Sequence, residues 1–352
     1  MSKLFLLFNC PSRENDKQWL EDVLREHGYN FEIIETKLYA NVMCQDGMKG
    51  KLKYYYRILS QAFRVICRSR RGDIIISWSD FTAGIINFIS MALGNKRKII
   101  SMNWLTPRAK KPYWEYLDRK QFLNKNVLIT VNSLDSKQGY MEKFRLSNGD
   151  NIYYIPDIYD TTVEFEKPQY KENGGRYVFT GGMANRDWKL VMQVAERFPS
   201  LSFVCCALEH DFKAKVDEIP INVQVYYSVL PDEYYRLMTG AYLVLMPLIA
   251  CRVSGLINIT RSAQSGVPCL VSRYEFTQMY FPDELLEWLI EDSNVDTWVH
   301  AVEKALELGR EYYSSKVRSF QNHIISCFGP EVAFRTLDKM IASHSNKSME
   351  AM

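Results

Sequence analysis

The stretch that decides the fold is YLVLMPLIACRVSGLINITRSAQSGVPCLVS, residues 242–272. An apolar run, Tyr242–Met246, reads as a buried strand. A loop follows, and Ser254-Gly255 opens a helix over Leu256–Gln264. Leu256, Ile259 and Ala263 face one side of that helix, and Asn258, Arg261, Ser262 and Ser265 share the other. Gly266-Val267-Pro268 stops it, and Pro268–Ser272 is a second apolar strand. Strand, crossover helix and strand of this size make a parallel β-α-β unit, because parallel strands need a helical crossover.

The same alternation extends in both directions. Upstream, Tyr177–Thr180, Leu201–Ala207 and Asn222–Tyr226 read as strands, with helices at Arg186–Phe198 and Asp232–Met238. Downstream, Val295–Leu308 and Glu311–His344 read as helices, the latter broken at Gly329-Pro330. The polar stretch Asp160–Gly175, ending in Gly174-Gly175, reads as an interdomain linker. Before it stands a separate series. Its strands are Leu4–Asn9, Phe31–Glu35, Asp73–Trp78, Lys98–Trp104, Val127–Asn132 and Tyr153–Ile155. Its helices are Arg13–His27, Lys49–Arg71, Phe81–Leu93 and Leu134–Arg145, the last capped by Ser133. Two such series predict an α/β protein of two Rossmann-like, doubly wound domains facing a central cleft. The expected layout is 1–160, a linker over 161–175, 176–312, and helices over 313–345 returning to the first domain.

Composition narrows the function classes. The chain has 352 residues, 47% of them hydrophobic and 24% charged, as in a globular protein of about two domains at roughly 150 residues each. The longest apolar runs, Phe81–Leu93 and Ala241–Cys251, fall short of the ~20 residues a bilayer span needs. Leu4–Phe8 is too short for a secretory signal core. The eight cysteines form no C-x-x-C pair and several sit in apolar runs, so buried thiols in a reducing cytoplasm are expected. The five histidines show no zinc spacing, so no metal is expected, and no G-x-S-x-G elbow marks a hydrolase.

Charge is uneven. Residues 1–160 carry +8 and the remainder −5. With Lys49–Arg71 read as a helix, Lys53, Arg57, Arg64, Arg68 and Arg71 fall within about 60° of one another. Leu52, Tyr55, Leu59, Phe63 and Ile66 then form the opposite stripe, expected to pack on the sheet. The basic stripe is either a solvated helix face or a contact for an anionic membrane surface. No nucleic-acid module accompanies it.

Two turns carry candidate chemistry. In Phe179-Thr180-Gly181-Gly182 the glycines let backbone approach a ligand, while the following helix start, Arg186 and Lys189 supply positive charge. That combination suits a diphosphate, although any tight turn can use two glycines. In Ser254-Gly255-Leu256, Ser254 can cap the helix, or the amides can hold phosphate. In the first domain Ser77-Trp78-Ser79-Asp80 and Asn103-Trp104, with Thr106, follow strands. Asp80 is a candidate to orient or deprotonate a hydroxyl, or alternatively the cap of the helix that follows.

The order and spacing of these segments resemble glycosyltransferase family 4, the group-1 enzymes of the GT-B fold. The family segment G-L-x-x-x-x-E-A-x-x-x-G-x-P stands here as Gly255-Leu256-Ile257-Asn258-Ile259-Thr260-Arg261-Ser262-Ala263-Gln264-Ser265-Gly266-Val267-Pro268. Val178–Gly182 with Arg186-Asp187 is similar to the family's first turn of the second domain. Tyr154-Ile155-Pro156-Asp157 through Asp160 is similar to its exit from the first. The resemblance implies a retaining, metal-independent transfer from a nucleotide-diphosphate sugar to a lipid-linked glycan in surface polysaccharide (capsule or exopolysaccharide) assembly, by a cytoplasmic enzyme peripheral to the membrane. It implies Asp80, Arg186 and Lys189 as catalytic. It implies Gly181, Gly182, Arg186, Tyr227, Ser228, Val229, Ser254, Gly255, Leu256, Asn258 and Arg261 around the donor, and Asn103 and Trp104 toward the acceptor. Two family glutamates are replaced by Val253 and Arg261. Arginine accepts no hydrogen bond from a ribose hydroxyl. A nucleotide-sugar 2-epimerase and a catalytically inactive glycan-binding subunit are the alternative readings.

Overall fold

A computed structural model describes residues 3–9, 18–36, 47–94, 97–105, 110–170, 177–182, 185–249 and 253–346. Arg13, Thr106, the Gly174-Gly175 end of the expected linker and residues 250–252 lie outside the described residues. The chain divides into two compact units, Met1–Pro156 with Pro330–Met352, and Asp157–Gly329.

The first unit alternates β1 (Leu4–Phe8), α1 (Gln18–Glu26), β2 (Phe31–Glu35), α2 (Gly47–Arg68), β3 (Ile74–Ser77), α3 (Asp80–Ala92), β4 (Lys98–Trp104), α4 (Pro112–Phe122), β5 (Val127–Val131), α5 (Leu134–Phe144) and β6 (Ile152–Tyr154). Its sheet is parallel, in the order β2-β1-β3-β4-β5-β6. Strand centres such as Phe5, Ile75, Ile99 and Ile129 are fully buried, as expected of a sheet covered on both faces. The strand order reverses between β1 and β3, and Asp80 begins α3 three residues beyond the end of β3.

The second unit alternates β7 (Tyr177–Gly182), α6 (Trp188–Glu196), β8 (Ser202–Ala207), α7 (Glu209–Lys213), β9 (Val223–Tyr227), α8 (Pro231–Gly240), β10 (Leu243–Met246), α9 (Leu256–Gln264), β11 (Cys269–Ser272), α10 (Glu275–Gln278), a 3-10 turn (Asp283–Trp288), β12 (Leu289–Ile290), α11 (Val295–Glu307) and α12 (Arg310–Cys327). Its parallel sheet runs β12-β11-β10-β7-β8-β9, with the order reversing between β7 and β10. The last helix, α13 (Pro330–Asn346), belongs to the first unit. There Phe334 stacks on His27 at 3.8 Å between ring centroids, and Tyr29 donates to Asp338 at 2.5 Å.

Three expectations need correction. The described part of the expected linker is not a free connector. Glu166 N donates to Gln264 O at 2.7 Å, Gln169 N to Gly266 O at 3.3 Å, and Tyr170 packs edge-on to Tyr242 and Tyr313. Its aromatic anchors are too widely spaced to show a periodic pattern. The closing helices divide between the units, α12 with the second and α13 with the first. Helix α4 lies outside the elements read from the sequence; its inward face mixes buried Asp118 and Gln121 with Phe122 and Trp114 instead of presenting a continuous apolar stripe.

Gly266 has φ +67, and a Cβ there would lie 2.6 Å from the Lys167 carbonyl oxygen. That neighbour is backbone and cannot rotate away. Gly266→Ala is expected to lower stability by about 1–3 kcal/mol from steric strain and the unfavourable φ. A chemical-denaturation midpoint checks this, and an unchanged midpoint would contradict the packing of residues 166–169 on α9.

Candidate functional site

In open parallel sheets ligands bind beyond the carboxyl ends of strands where the strand order reverses. In the second unit that point lies between β7 and β10, and both glycine-bearing turns start there. Gly181 and Gly182 are the last residues of β7, paired in register with Cys206 and Ala207. The loops after β7 and β10 are tied together: Asp187 N donates to Pro247 O at 3.0 Å, and Ile249 N to Asn185 O at 3.0 Å. Leu248 N, in turn, donates to Ser272 Oγ at 2.8 Å.

Arg186 joins the two turns. Its Nε donates to the Gly181 carbonyl at 2.8 Å, and Asn258 Nδ2, from α9, donates to the same oxygen at 2.9 Å. A Cβ on Gly255 would lie 3.5 Å from both terminal guanidinium nitrogens, and one on Gly182 would lie 2.7 Å from Cζ. The absence of a side chain at Gly182 therefore makes room for the guanidinium, while a Cβ on Gly255 would meet it only at ordinary contact distance. Tyr234 closes the other side: a Cβ on Gly181 would sit 2.7 Å from its ring carbons. Arg186 is 2% exposed, and burial lowers its pKa from the ordinary arginine value. A cation held this far from water favours a nearby anion.

The start of α9 adds to the positive potential. Its N-cap is Gly255, at φ +83, with no side-chain cap. The first-turn amides of a helix carry the positive end of its dipole and point outward. A guanidinium and a helix amide end thus converge on one glycine-lined turn, an arrangement suited to an anion of phosphate type.

Several expected site residues stand elsewhere. Ser254 does not cap α9, although its Oγ is buried. The start of α6 is not an open anion site. Arg186 precedes the helix, and Asp187 caps it, its Oδ1 accepting from Leu190 N at 3.1 Å. A carboxylate already occupies that helix end. Lys189 is exposed one residue inside α6. Asn258 is buried, and its Nδ2 donates to the Gly181 carbonyl. Arg261 lies over the Tyr235 ring at 4.4 Å, and Tyr235 donates to Asp160 at 3.1 Å. Its guanidinium is thus placed against α8 and the segment after Pro156. After β9, Tyr227 packs on Phe212 at 6.0 Å, Ser228 is exposed with φ +55, and Val229 is half-buried.

In the first unit Ser79, not Asp80, caps α3. Asp80 Oδ1 accepts from Phe81 N at 2.8 Å, and Oδ2 pairs with Lys110 at 3.2 Å, which also pairs with Asp118 at 2.8 Å. Burial raises the Asp118 pKa, against the opposing pull of Lys110. Lys110 itself is raised: burial pulls it down, but the two carboxylates outweigh that. A carboxylate committed to an ammonium group in this way is a weak candidate for general base. Sequence reading missed Lys110 and Asp118 because both belong to the unexpected α4 region. Asn103 is exposed, with φ +63. Trp104 is core rather than an acceptor platform: it is 1% exposed, edge-on to Phe122 and Tyr140, with Nε1 bonded to Ser101. Among the described residues no His, Cys, Asp and Glu cluster is arranged to hold a metal.

No family model and no curated protein matches the sequence. Solved structures do match the fold. A UDP-forming α,α-trehalose-phosphate synthase from Burkholderia vietnamiensis superposes with a TM-score of 0.68 at 10% identity, covering 100% of this chain and 99% of that one. A trehalose-6-phosphate structure from E. coli bound with UDP-2-fluoro glucose gives 0.69 at 8% identity, covering 96% and 99%. A glycosyltransferase from Rickettsia africae gives 0.67 at 11% identity, covering 97% and 98%. The fold is GT-B. Two parallel six-stranded sheets with flanking helices, similar over nearly the whole length of these proteins, correspond to the architecture expected from sequence.

Proposed function

We propose that this chain is a glycosyltransferase of the family-4 type. It would transfer a sugar, with retention, from a nucleotide-diphosphate donor to a lipid-linked glycan acceptor at an anionic membrane surface during surface polysaccharide assembly. The observation that carries the reading is that Arg186 bonds the Gly181 carbonyl and lies beside Gly182 and beside Gly255, the N-cap of α9, at the point where the second sheet reverses its strand order. The structural neighbours support a nucleotide-sugar substrate, since one is a UDP-forming synthase and another is bound with UDP-2-fluoro glucose.

In such a transfer the leaving diphosphate gains negative charge as its bond to the sugar breaks. Fixed donors aimed at that charge lower the barrier, because they need no reorganisation during the reaction. Arg186 and the first amides of α9 fill that role. The exposed Ser228 turn and Tyr227 are assigned to the base. The test is a thermal-shift series with UDP-sugars, GDP-sugars and the free nucleosides. Stabilisation by one class of nucleotide sugar, exceeding that by its nucleoside, is expected. No stabilisation by any nucleotide would favour the glycan-binding subunit, a reading to which Arg261 in place of an acidic residue lends weight. Donor consumption without acceptor would favour the epimerase.

A further inference from the structure

Helix α2 is rotated away from the orientation its sequence suggests, and the rotation leaves an apolar ridge in water. Gln61 fixes it. From within the buried face, its Nε2 donates to the carbonyls of Phe8 at 2.8 Å and Ile34 at 2.7 Å, at the ends of β1 and β2. Ile58, Ala62, Val65 and Ile66 are buried beside it. The stripe expected to face the sheet is therefore largely exposed: Leu52, Leu59 and Phe63 are 65%, 51% and 64% accessible, and Met48 and Tyr56 are exposed as well.

At 100° per residue the helix has three sectors. One faces the core. The exposed apolar residues Met48, Leu52, Tyr55, Tyr56, Leu59 and Phe63 span about 100° next to it. Lys49, Lys53, Arg57 and Arg64 span roughly the next 80°. Arg68 is held at 2.6 Å by Glu32 and is not part of that basic sector. The ridge has a defined position in the unit. Tyr55 lies 5.9 Å from Phe81 and 6.3 Å from Trp114, so the first half of α2 adjoins the starts of α3 and α4, at the carboxyl end of the sheet where Asp80 stands.

We propose that this ridge inserts into the interfacial layer of an anionic lipid bilayer, with the lysines and arginines beside it meeting the headgroups. An exposed apolar face, flanked by cations and carrying aromatic rings, matches the chemistry of such a surface: hydrocarbon below, negative charge at its edge. A protein partner would need a groove with matching acidic residues, whereas a bilayer supplies both features along the whole helix. The inference deepens the proposed function, since it would present the acceptor end of the first unit to a lipid-linked substrate.

The test is co-sedimentation of the full chain with vesicles of phosphatidylcholine alone and with phosphatidylglycerol added. Wild type is expected to bind the anionic vesicles strongly and the zwitterionic ones weakly. The triple variant Leu52→Ser, Leu59→Ser, Phe63→Ser should bind anionic vesicles at least tenfold less. Lys53→Glu with Arg64→Glu should lose the preference for phosphatidylglycerol. The triple variant removes only exposed groups, so its unfolding temperature and its stabilisation by nucleotide should match wild type. Wild-type protein that stays in solution, or a triple variant that sediments like wild type, overturns the proposal. So does a wild-type dimer that the triple variant dissociates while vesicle binding persists, because the ridge would then be covered by a second copy. Vesicle binding that follows these expectations, together with no nucleotide binding by wild type, would retire the donor site and leave the membrane surface standing.

Discussion

Replacing Arg186 with alanine is expected to weaken binding of a nucleoside diphosphate by roughly 10- to 100-fold while leaving nucleoside binding almost unchanged. The magnitude follows from removal of charge-assisted hydrogen bonds, each worth about 1.5–3 kcal/mol. The selectivity follows from position. The guanidinium stands between Gly182 and Gly255, whereas the turn assigned to the base lies after β9. Fold stability should change less than affinity. The Gly181 carbonyl keeps Asn258 as a donor, and the lost cation was buried at a cost, as its lowered pKa shows. Arg186→Lys should recover part of the affinity, since the charge returns without the planar fork. Calorimetric titration with UDP, UMP and uridine separates these cases. Equal losses for all three ligands would make Arg186 a purely structural group.

The second large effect is expected at Gly182. Its φ of +142 is disfavoured for any residue with a side chain, and a Cβ there would meet the Arg186 guanidinium, 2.7 Å from Cζ. Gly182→Ala should cost about 1–3 kcal/mol of stability through backbone strain. The guanidinium ends a flexible side chain, so it would be pushed aside without unfolding the protein. Diphosphate affinity should fall about as far as in Arg186→Ala. The double variant should lose little more than either single variant, because both act on one group. Affinities that multiply in the double variant would show that Gly182 and Arg186 act separately.

The glycine pair stands out in the sequence, but any tight turn can use two glycines, and in the structure Gly181 leaves room for Tyr234 and Gly182 for Arg186. What the sequence concealed was the one-residue offset that follows. Asp187 caps α6 and occupies that helix end with a carboxylate, so the proposed anion contact rests on Arg186 itself and on α9, whose N-cap Gly255 has no side-chain cap. Along α9 the sequence places Asn258, Arg261, Ser262 and Ser265 on one side without showing what they meet. In the structure Ser262 Oγ bonds Val267 O, and Gln264 Nε2 bonds the carbonyls of Asp160 and Val163, so polar side chains are spent on neighbouring backbone. Helix α2 shows the same limit. Apolar residues cover more of its circumference than one packing face needs, and the polar Gln61 decides which of them are buried. Trp104 was misplaced because a tryptophan just after a strand looks alike whether it turns outward or, as here, into the cluster of Phe122 and Tyr140. The strands themselves were far easier to read, since a strand buried on both faces must be apolar throughout, whereas their order in each sheet comes from the structure.

The central claim is that Arg186 and the amide end of α9 hold a diphosphate together. Crystals grown with UDP or GDP measure this directly as a distance. The account predicts a β-phosphate within hydrogen-bonding reach of both the Arg186 guanidinium and the Leu256 or Ile257 amide. A nucleotide bound with its phosphates away from Gly181 and Gly255, or no bound nucleotide at millimolar concentration, would contradict it.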